Sequence, residues 1–347
     1  MSLPTQTKQF LLAAHPKAEV NPSEQFKLVT NPIPELKDNQ VLLKVRYLSN
    51  DPAQRGWISY HPAPERLYVP PVQIGEVMRA GAICTVLKSA SSKFKEGDSV
   101  VATAGWTEYA VLPADQCTPL KQVEGLSETH YLGALGLTGM TAFYGLSVVR
   151  ASKDDDLIVV SGAAGATGSL VVQIAKHLIG VKKVVGLAGN DSKCRWVESI
   201  GADKCINYKD KDWRKQLKEA TQGNVDVYFD NVGAPILDAV MARMKTHGRI
   251  AACGAVANYN AGEGAEPVRN WFEVISSRLE IRGFIVFDGA ANFGEYTSRL
   301  VEGWKAGKVQ ISDEGETVVP TSFESIPQTW LKLFAGANQG KLVTKLT

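Results

Sequence analysis

The stretch DLIVVSGAAGATGSLVVQIAKHL, residues 156–178, decides how this chain is read. Its opening, Leu157 to Val160, is an unbroken apolar run whose length and β-branched character suit a strand buried on both faces of a parallel sheet. Gly162, Gly165 and Gly168 then stand at i, i+3 and i+6. Leu170, Val171, Ile174, Ala175 and Leu178 follow on one face at helical spacing. This order gathers the unpaired backbone N–H groups of a helix start at one point, where they and the helix dipole stabilise an anion, above all a pyrophosphate. A glycine triplet alone says little, because tight turns use glycine whether or not they bind anything. Here a second strand signal, KVVGLA (183–188), closes a βαβ unit of about thirty residues, and a dinucleotide site is the reading. The spacing GxxGxxG, in place of GxGxxG, points to a variant class of that fold.

Working outward, the 347 residues are too many for one average domain, so two are expected. With 44% hydrophobic and 21% charged residues, the composition is that of an ordinary globular protein without low-complexity tracts or repeats. The formal net charge of +2 gives no reason to expect nucleic acid or an anionic membrane as partner. The N-terminal MSLPTQTKQFLL lacks a basic region leading into a long apolar core, and no run of eighteen apolar residues exists; a cytoplasmic enzyme is the expectation. Five scattered cysteines without a CxxC pair argue against both a zinc site and a disulfide framework, so no metal is expected.

Before residue 132 the signals are short β segments: Gln40 to Tyr47, Gly75 to Leu87, Phe94 to Thr103 and Trp106 to Leu112, divided by glycine and charged turns. They suggest a compact barrel or sandwich. LGALGLTGMTAFYGL (132–146) is small and apolar, and its Gly139 suits close packing of a helix against a neighbour. From Asp156 strand and helix signals alternate. Helices are expected up to Leu178, at Lys193 to Ile200, Trp213 to Ala220, Ile236 to Met244 and near Phe272 to Ser277, with a last strand over EIRGFIVF (280–287). Alternation of this kind implies an α/β fold with a Rossmann-like doubly wound parallel sheet. The piece from Thr317 to Thr347 carries two strand signals around a helix at Ile326 to Phe334, and is read as returning to the first domain.

An NAD-specific site places an acid about twenty residues beyond the glycine turn, on the ribose 2′-hydroxyl. Counting from Gly168 arrives at Ala188, and the strand end from Gly186 to Asn190 contains no acid, whereas Lys193 and Arg195 stand nearby. NADP is therefore favoured. The rival is that Asp191 supplies the carboxylate and the basic residues coat a helix face.

GAAGATGSLVVQIAK, together with FDNVG (229–233), CGAVANYN (253–260), GFIVFD (283–288), GWTEY (105–109) and LSNDPAQRG (48–56), resembles the zinc-independent medium-chain dehydrogenases/reductases. Within them the chain is similar to the branch of prostaglandin reductases, alkenal double-bond reductases and curcumin reductase. The resemblance spans nearly the whole chain. It implies a GroES-like β-barrel from residues 1–133 with 315–347 returning to it, a Rossmann domain over 134–314, and NADPH-dependent reduction of the C=C bond of α,β-unsaturated ketones and aldehydes. It implies a homodimer through edge strands near Glu280 to Phe287. It also implies that Gly165, Ala166, Thr167 and Gly168 meet the pyrophosphate, and that Lys193 and Tyr208 hold the 2′-phosphate. Asn231 would lie near the nicotinamide, and the loop Cys253-Gly254-Ala255-Val256-Ala257-Asn258-Tyr259 along the cofactor. Phe284, Ile285 and Val286 would form the strand whose backbone meets the carboxamide, and Asn338 would contact the cofactor from the barrel. Taken singly, Tyr208 and Phe284 also read as core aromatics, and Asn231 and Asn338 as turn residues.

Tyr259 is the candidate catalytic residue. Hydride arriving at the β-carbon of an activated alkene builds negative charge on the carbonyl oxygen, and a phenol O–H there stabilises it as an oxyanion hole does. Water suffices to protonate the α-carbon, in keeping with His15, His61, His130, His177 and His247 being scattered. The other reading of Tyr259 is an interface hydroxyl. Asn50, Ala53 and Gln54 replace bulkier residues common in the family, which implies a different pocket shape. Tyr60 and His61 line either a pocket or a surface loop, and the loop from Asn260 to Arg269 is a candidate lid. Two alternatives stay open, a quinone reductase of the same superfamily and a nucleotide-binding protein without catalysis.

Overall fold

A computed structural model describes residues 3–347 and divides the chain into two compact units. One comprises the residues up to Leu132 with Glu316–Thr347, the other Gly133–Gly315.

The first unit begins with β1 (Gln6–Leu12), α1 (Pro22–Gln25), β2 (Phe26–Pro32), β3 (Gln40–Ser49), α2 (Ala53–Trp57), β4 (Ala82–Ser89), β5 (Ser99–Ala102), β6 (Tyr109–Pro113) and β7 (Cys117–Pro119). The second holds α3 (Leu137–Val148), β8 (Leu157–Val160), α4 (Ala166–Gln173), β9 (Lys183–Ala188), α5 (Asp191–Ser199), β10 (Lys204–Asn207), α6 (Trp213–Thr221), β11 (Val225–Asp230), α7 (Ile236–Met241), β12 (Met244–Ala252), α8 (Phe272–Ser276), β13 (Glu280–Gly283) and α9 (Phe293–Lys305). The chain closes with β14 (Glu316–Thr321), α10 (Ile326–Leu331) and β15 (Lys341–Leu346).

In the first unit β1 and β2 form an antiparallel pair. A seven-stranded mixed sheet runs β14-β15-β3-β4-β5-β7, with β6 added against β3. The strand expected from Gly75 starts only at Ala82. The preceding residues instead cross to β1, where Leu12 N–H donates to Glu76 O (2.9 Å) and Met78 N–H to Phe10 O (2.9 Å). The β1–β2 pair itself carries little periodicity in sequence and was not expected.

The core of this unit depends on residues distant in sequence. Phe10, Phe26 and Trp106 meet Phe323 and Trp330 of the C-terminal segment: Phe10 stacks on Phe323 (centroids 5.7 Å, 10°), and Trp330 packs edge-on against both Trp106 (5.8 Å) and Phe26 (6.1 Å). Aromatic contacts of this kind add to area burial. The motif LSNDPAQRG fixes the same junction. Asn50 Nδ2 donates to Thr344 Oγ1 (3.0 Å), the buried Lys341 Nζ reaches Asp51 Oδ1 (2.5 Å), and Gln54 Nε2 donates to Arg79 O (2.9 Å). Arg55, also buried, donates to Ala18 O (2.6 Å), and burial lowers its pKa. Asn50 and Gln54 thus hold β3, β15 and the chain at Arg79 together.

The second unit is built on a six-stranded parallel sheet of order β10-β9-β8-β11-β12-β13. The order reverses between β8 and β11, the topological switch point at which open α/β sheets bind ligands. All four side chains of β8 are buried, as its apolar run predicts for a strand covered on both faces. Its helix ends differently from the expectation: α4 stops at Gln173, and a π-helical turn carries Ile174–Ile179 to Gly180, whose φ of 88° ends it. Helix α7 likewise ends at Met241. Met244 opens β12, because the chain turns at Arg243, whose carbonyl accepts from Val225 N–H (3.1 Å). Strand β13 stops at Gly283, so Phe284 and Ile285 follow it as extended chain and Val286 begins a 3-10 turn (Val286–Asn292). The expected strand Phe284 to Val286 is therefore corrected to a strand exit. Gly139 meets its expected close approach, since a Cβ there would lie 1.9 Å from Ala134 O. No helix is long and apolar enough to cross a membrane among the described residues.

Replacing Trp330 with alanine removes the residue on which the returning segment and the first sheet's core converge. It is expected to destabilise the protein by about 3–5 kcal/mol, seen as a lower urea midpoint of the transition reported by tryptophan fluorescence.

Candidate functional site

The chain leaves β8 through Ser161 and makes a left-handed bend at Gly162 (φ 58°). Leu187 O of β9 then accepts from Ala163 N–H (3.0 Å), and the helix starts at Gly165 as N-cap. Gly168 is required by space: a Cβ there would stand 2.3 Å from Gly162 O and 2.8 Å from the Ala163 Cα. Only a glycine lets α4 lie this close to the turn. No side chain caps the helix, so the N–H groups at Ala166, Thr167 and Gly168 face outward from the strand end as an anion cradle.

A buried carboxylate fixes the neighbouring strand end. Asp230 Oδ1, at the end of β11, accepts from Tyr228 Oη (2.7 Å), Ser161 Oγ (3.1 Å), Val232 N–H (3.0 Å) and Gly233 N–H (3.0 Å). Full burial, with Asp230 beside it, pushes the Tyr228 phenol well above its ordinary pKa, so it stays a donor. Asn231 follows. Its N–H takes Ser161 Oγ (2.9 Å) and its Nδ2 takes Ser161 O (2.7 Å), which places it at the switch point beside the glycine bend.

The ends of β9 and β10 form a basic corner. Asn190 caps α5, accepting Lys193 N–H on its Oδ1 (2.9 Å). The half-buried Lys193 ammonium has its pKa lowered by burial and then by Lys209, so a second cation stands near enough to be felt. Two ammonium groups together are relieved by a shared anion. Tyr208 stands over Gly189, where a Cβ would lie 3.0 Å from its hydroxyl, and burial raises its pKa. Asp191, the alternative ribose ligand, has its Oδ1 engaged by Asn207 Nδ2 (2.8 Å). The donor set therefore fits a phosphate better than a ribose hydroxyl at this corner.

Beyond β12, Cys253 N–H and Gly254 N–H both donate to Asp230 O (2.9 and 3.1 Å), curling the chain over the sheet edge. The Cys253 thiol is pushed up to about 12 by burial and by Asp230, and so is no nucleophile near neutrality. Residues Val256–Asn258 form a single 3-10 turn that returns Tyr259 onto its own loop, where its hydroxyl accepts from Ala255 N–H at 3.4 Å. A Cβ on Gly254 would sit 3.3 Å from that hydroxyl, so the glycine keeps the phenol's surroundings open. Phe284, leaving β13, packs edge-on against Phe229 (6.1 Å) and Tyr144 (5.8 Å).

The carboxyl edge of one sheet thus gathers the glycine turn, Lys193, Tyr208, Asn231, the loop Cys253 to Tyr259 and Phe284. Asn338 belongs to the other unit, in the approach to β15, where its Nδ2 donates to Gly340 O (2.7 Å). In that same unit Tyr60 is 74% exposed and His61 accepts from Ala63 N–H (3.1 Å), on the loop between α2 and β4. Sequence reading passed over Asp230, Ser161 and Lys209. Lys209 was detectable as a second cation following Tyr208, whereas the Asp230–Ser161 link required knowledge that β8 and β11 are neighbours. Among the described residues no group of three His, Cys, Asp or Glu side chains is placed to hold a metal ion.

Residues 8–120 match a family described as the N-terminal domain of oxidoreductase, and residues 166–302 one described as zinc-binding dehydrogenase. The chain is 33% identical to the NADPH-dependent curcumin reductase of Escherichia coli, over 98% of this chain and 96% of that protein. It is 36% identical to the NADP(+)-dependent 2-alkenal reductase of Nicotiana tabacum, over 89% and 88%. The crystal structure of CurA from Vibrio vulnificus in complex with NADPH superposes with a TM-score of 0.87 at 32% identity, covering 98% of this chain and 99% of that one. NADP(H) is the cofactor, in agreement with the cradle and the basic corner.

Lys193→Ala is expected to raise the KM for NADPH by about tenfold or more, with the KM for NADH nearly unchanged. Steady-state kinetics with the two nucleotides measures the difference, and equal effects on both would remove the 2′-phosphate role.

Proposed function

The chain belongs to the medium-chain dehydrogenase/reductase family, in the branch of prostaglandin, alkenal and curcumin reductases, and on that premise we propose that it reduces the C=C bond of α,β-unsaturated aldehydes and ketones with NADPH. The observation that carries this reading is Tyr259, whose phenol is turned back over Gly254 and Ala255 at the same sheet edge as Asn231 and the anion cradle.

When bound, the cofactor supplies a hydride to the β-carbon of the alkene. The chain's own residues then have three tasks. The N–H groups at Ala166 to Gly168 fix the pyrophosphate bridge of the nucleotide, and Lys193, Lys209 and Tyr208 fix its 2′-phosphate. Asn231 and the curled backbone at Cys253 and Gly254 position its far end. Tyr259 donates its O–H to the carbonyl oxygen on which negative charge collects. The phenol oxygen accepts from Ala255 N–H, and hydrogen bonds in a chain polarise one another, which strengthens the O–H as a donor. Water delivers the proton to the α-carbon, so no strong base is required. The loop beyond Tyr259 is tethered at its far end, where Asp238 accepts Arg269 N–H and Asn270 N–H (both 2.9 Å), and closes over the alkene.

We infer a homodimer formed through the edge of the parallel sheet. Among the described residues strand β13 pairs only with β12, and exposed beside it are Trp271 (57%) and, in α8, Phe272 (72%) and Ile275 (63%). An unpaired strand edge beside an apolar surface is a pairing template. All five cysteines are free thiols, which suits the reducing cytoplasm.

Purified protein is expected to oxidise NADPH in the presence of a medium-chain alkenal or enone, faster than with quinones. Tyr259→Phe should lower kcat by about ten- to a hundredfold with little change in the KM for NADPH; an unchanged kcat would return Tyr259 to a structural role. For the dimer, Ile275→Glu should yield a monomer by light scattering after gel filtration, whereas an unaltered mass would place the interface elsewhere.

A further inference from the structure

On the face of the second unit, α6, α7 and the chain at 266–270 enclose a cleft of about 430 Å³ that shares no residue with the cofactor site. Arg214, Lys218, Arg243 and Arg269 all line it. Among the described residues none of the four forms an ion pair. The Arg214 guanidinium is held over the Trp213 ring, 4.5 Å from its centroid, so its position is set before any ligand arrives. The carboxylates present do not neutralise the group. Asp238 is committed to the backbone, accepting Arg269 N–H on both oxygens (2.9 and 3.1 Å) and Asn270 N–H (2.9 Å), and it and Glu266 are the two carboxylates that stand against the four cations. The floor is apolar, from Leu217, Pro235 and Ala239.

With four cations and two carboxylates the lining carries a net positive charge, and a concave wall with such an excess focuses the field and concentrates counter-ions. An apolar floor beneath them adds a surface that a hydrated inorganic ion does not use. We propose that this cleft binds a small organic polyanion, a phosphate ester or polycarboxylate whose charged groups meet the arginines and whose body rests on Leu217 and Pro235. Arg269 lies on the segment that runs back to Tyr259, while Arg214 and Lys218 lie on α6. A ligand bridging them fastens that segment to the body of the unit, so occupancy of the cleft is read out as ordering of residues 261–270.

Calorimetry on protein saturated with NADPH tests this, because the nucleotide fills the glycine turn and leaves added anion to report on the cleft. Citrate and inorganic pyrophosphate serve as probes, with sodium chloride at matched ionic strength as control. Submillimolar binding of citrate is expected, tighter than that of pyrophosphate, which has no organic body to rest on the floor, and weakened about tenfold by Arg243→Gln, with slower amide exchange over 261–270 in the bound state. The double variant Arg214→Gln/Lys218→Gln, confined to the exposed face of α6, gives the same reading should Arg243→Gln unfold. No binding of either probe at millimolar concentration, or affinity unchanged in a folded variant, would overturn the proposal. The readout is binding and exchange, so it stands or falls separately from turnover of any alkene.

Discussion

Asp230 holds the functional edge of this protein together. A buried carboxylate is tolerated only when its lone pairs are met, and here one oxygen receives a phenol, a serine hydroxyl and two backbone N–H groups. Those four donors come from β11 itself, from the exit of β8 and from the turn after Asn231. One atom therefore sets how β8 and β11 end relative to each other, and with them the bend at Gly162 and the orientation of Asn231. Its main-chain carbonyl extends the effect to a third strand, because both Cys253 and Gly254 donate to it. The loop bearing Tyr259 starts from that anchor.

Chemistry of the kind assigned to this edge asks little of acids and bases and much of placement. Hydride transfer is supplied by the nucleotide, so the protein's contribution is to fix both ends of a long anion and to offer one hydrogen bond where charge develops. The thiol nearest the site is suppressed rather than activated, with Cys253 pushed up to about 12. That suits an enzyme meeting electrophilic alkenes, which alkylate thiolates and leave neutral thiols alone.

Much of the second unit was legible in the chain because its local rules agree with its global ones. Leu157 to Val160 reads as a doubly covered strand and is one, and the three glycines read as a cradle whose crowding at Gly168 the structure explains. The failures have common causes. Phe284 to Val286 continues an apolar run, yet the strand ends at Gly283, since its partner β12 ends opposite it at Ala252, where the chain turns to Asp230. Met244 was absorbed into a helix by its apolar neighbours, although tertiary pairing with β11 claims it for β12. In the first unit β1 pairs with a segment 14 to 26 positions on, Gln54 with Arg79, and Asn50 and Asp51 with Thr344 and Lys341 at the other end of the chain. Periodicity has no access to such contacts. The NADP preference was read from a missing acid; the structure adds that the one nearby acid, Asp191, is already occupied by Asn207.

The returning C-terminal segment has a consequence for biosynthesis. The first unit needs β15 between β14 and β3, and Trp330 and Phe323 inside its core, yet these residues leave the ribosome after everything in Gly133–Gly315. During vectorial synthesis the middle of the chain can complete its sheet while the beginning waits, its aromatic side chains uncovered, for the last thirty-odd residues to emerge. The nascent N-terminal portion is thus the part that chaperones would guard, and a stalled or truncated message would release a folded nucleotide-binding module attached to an unfinished one.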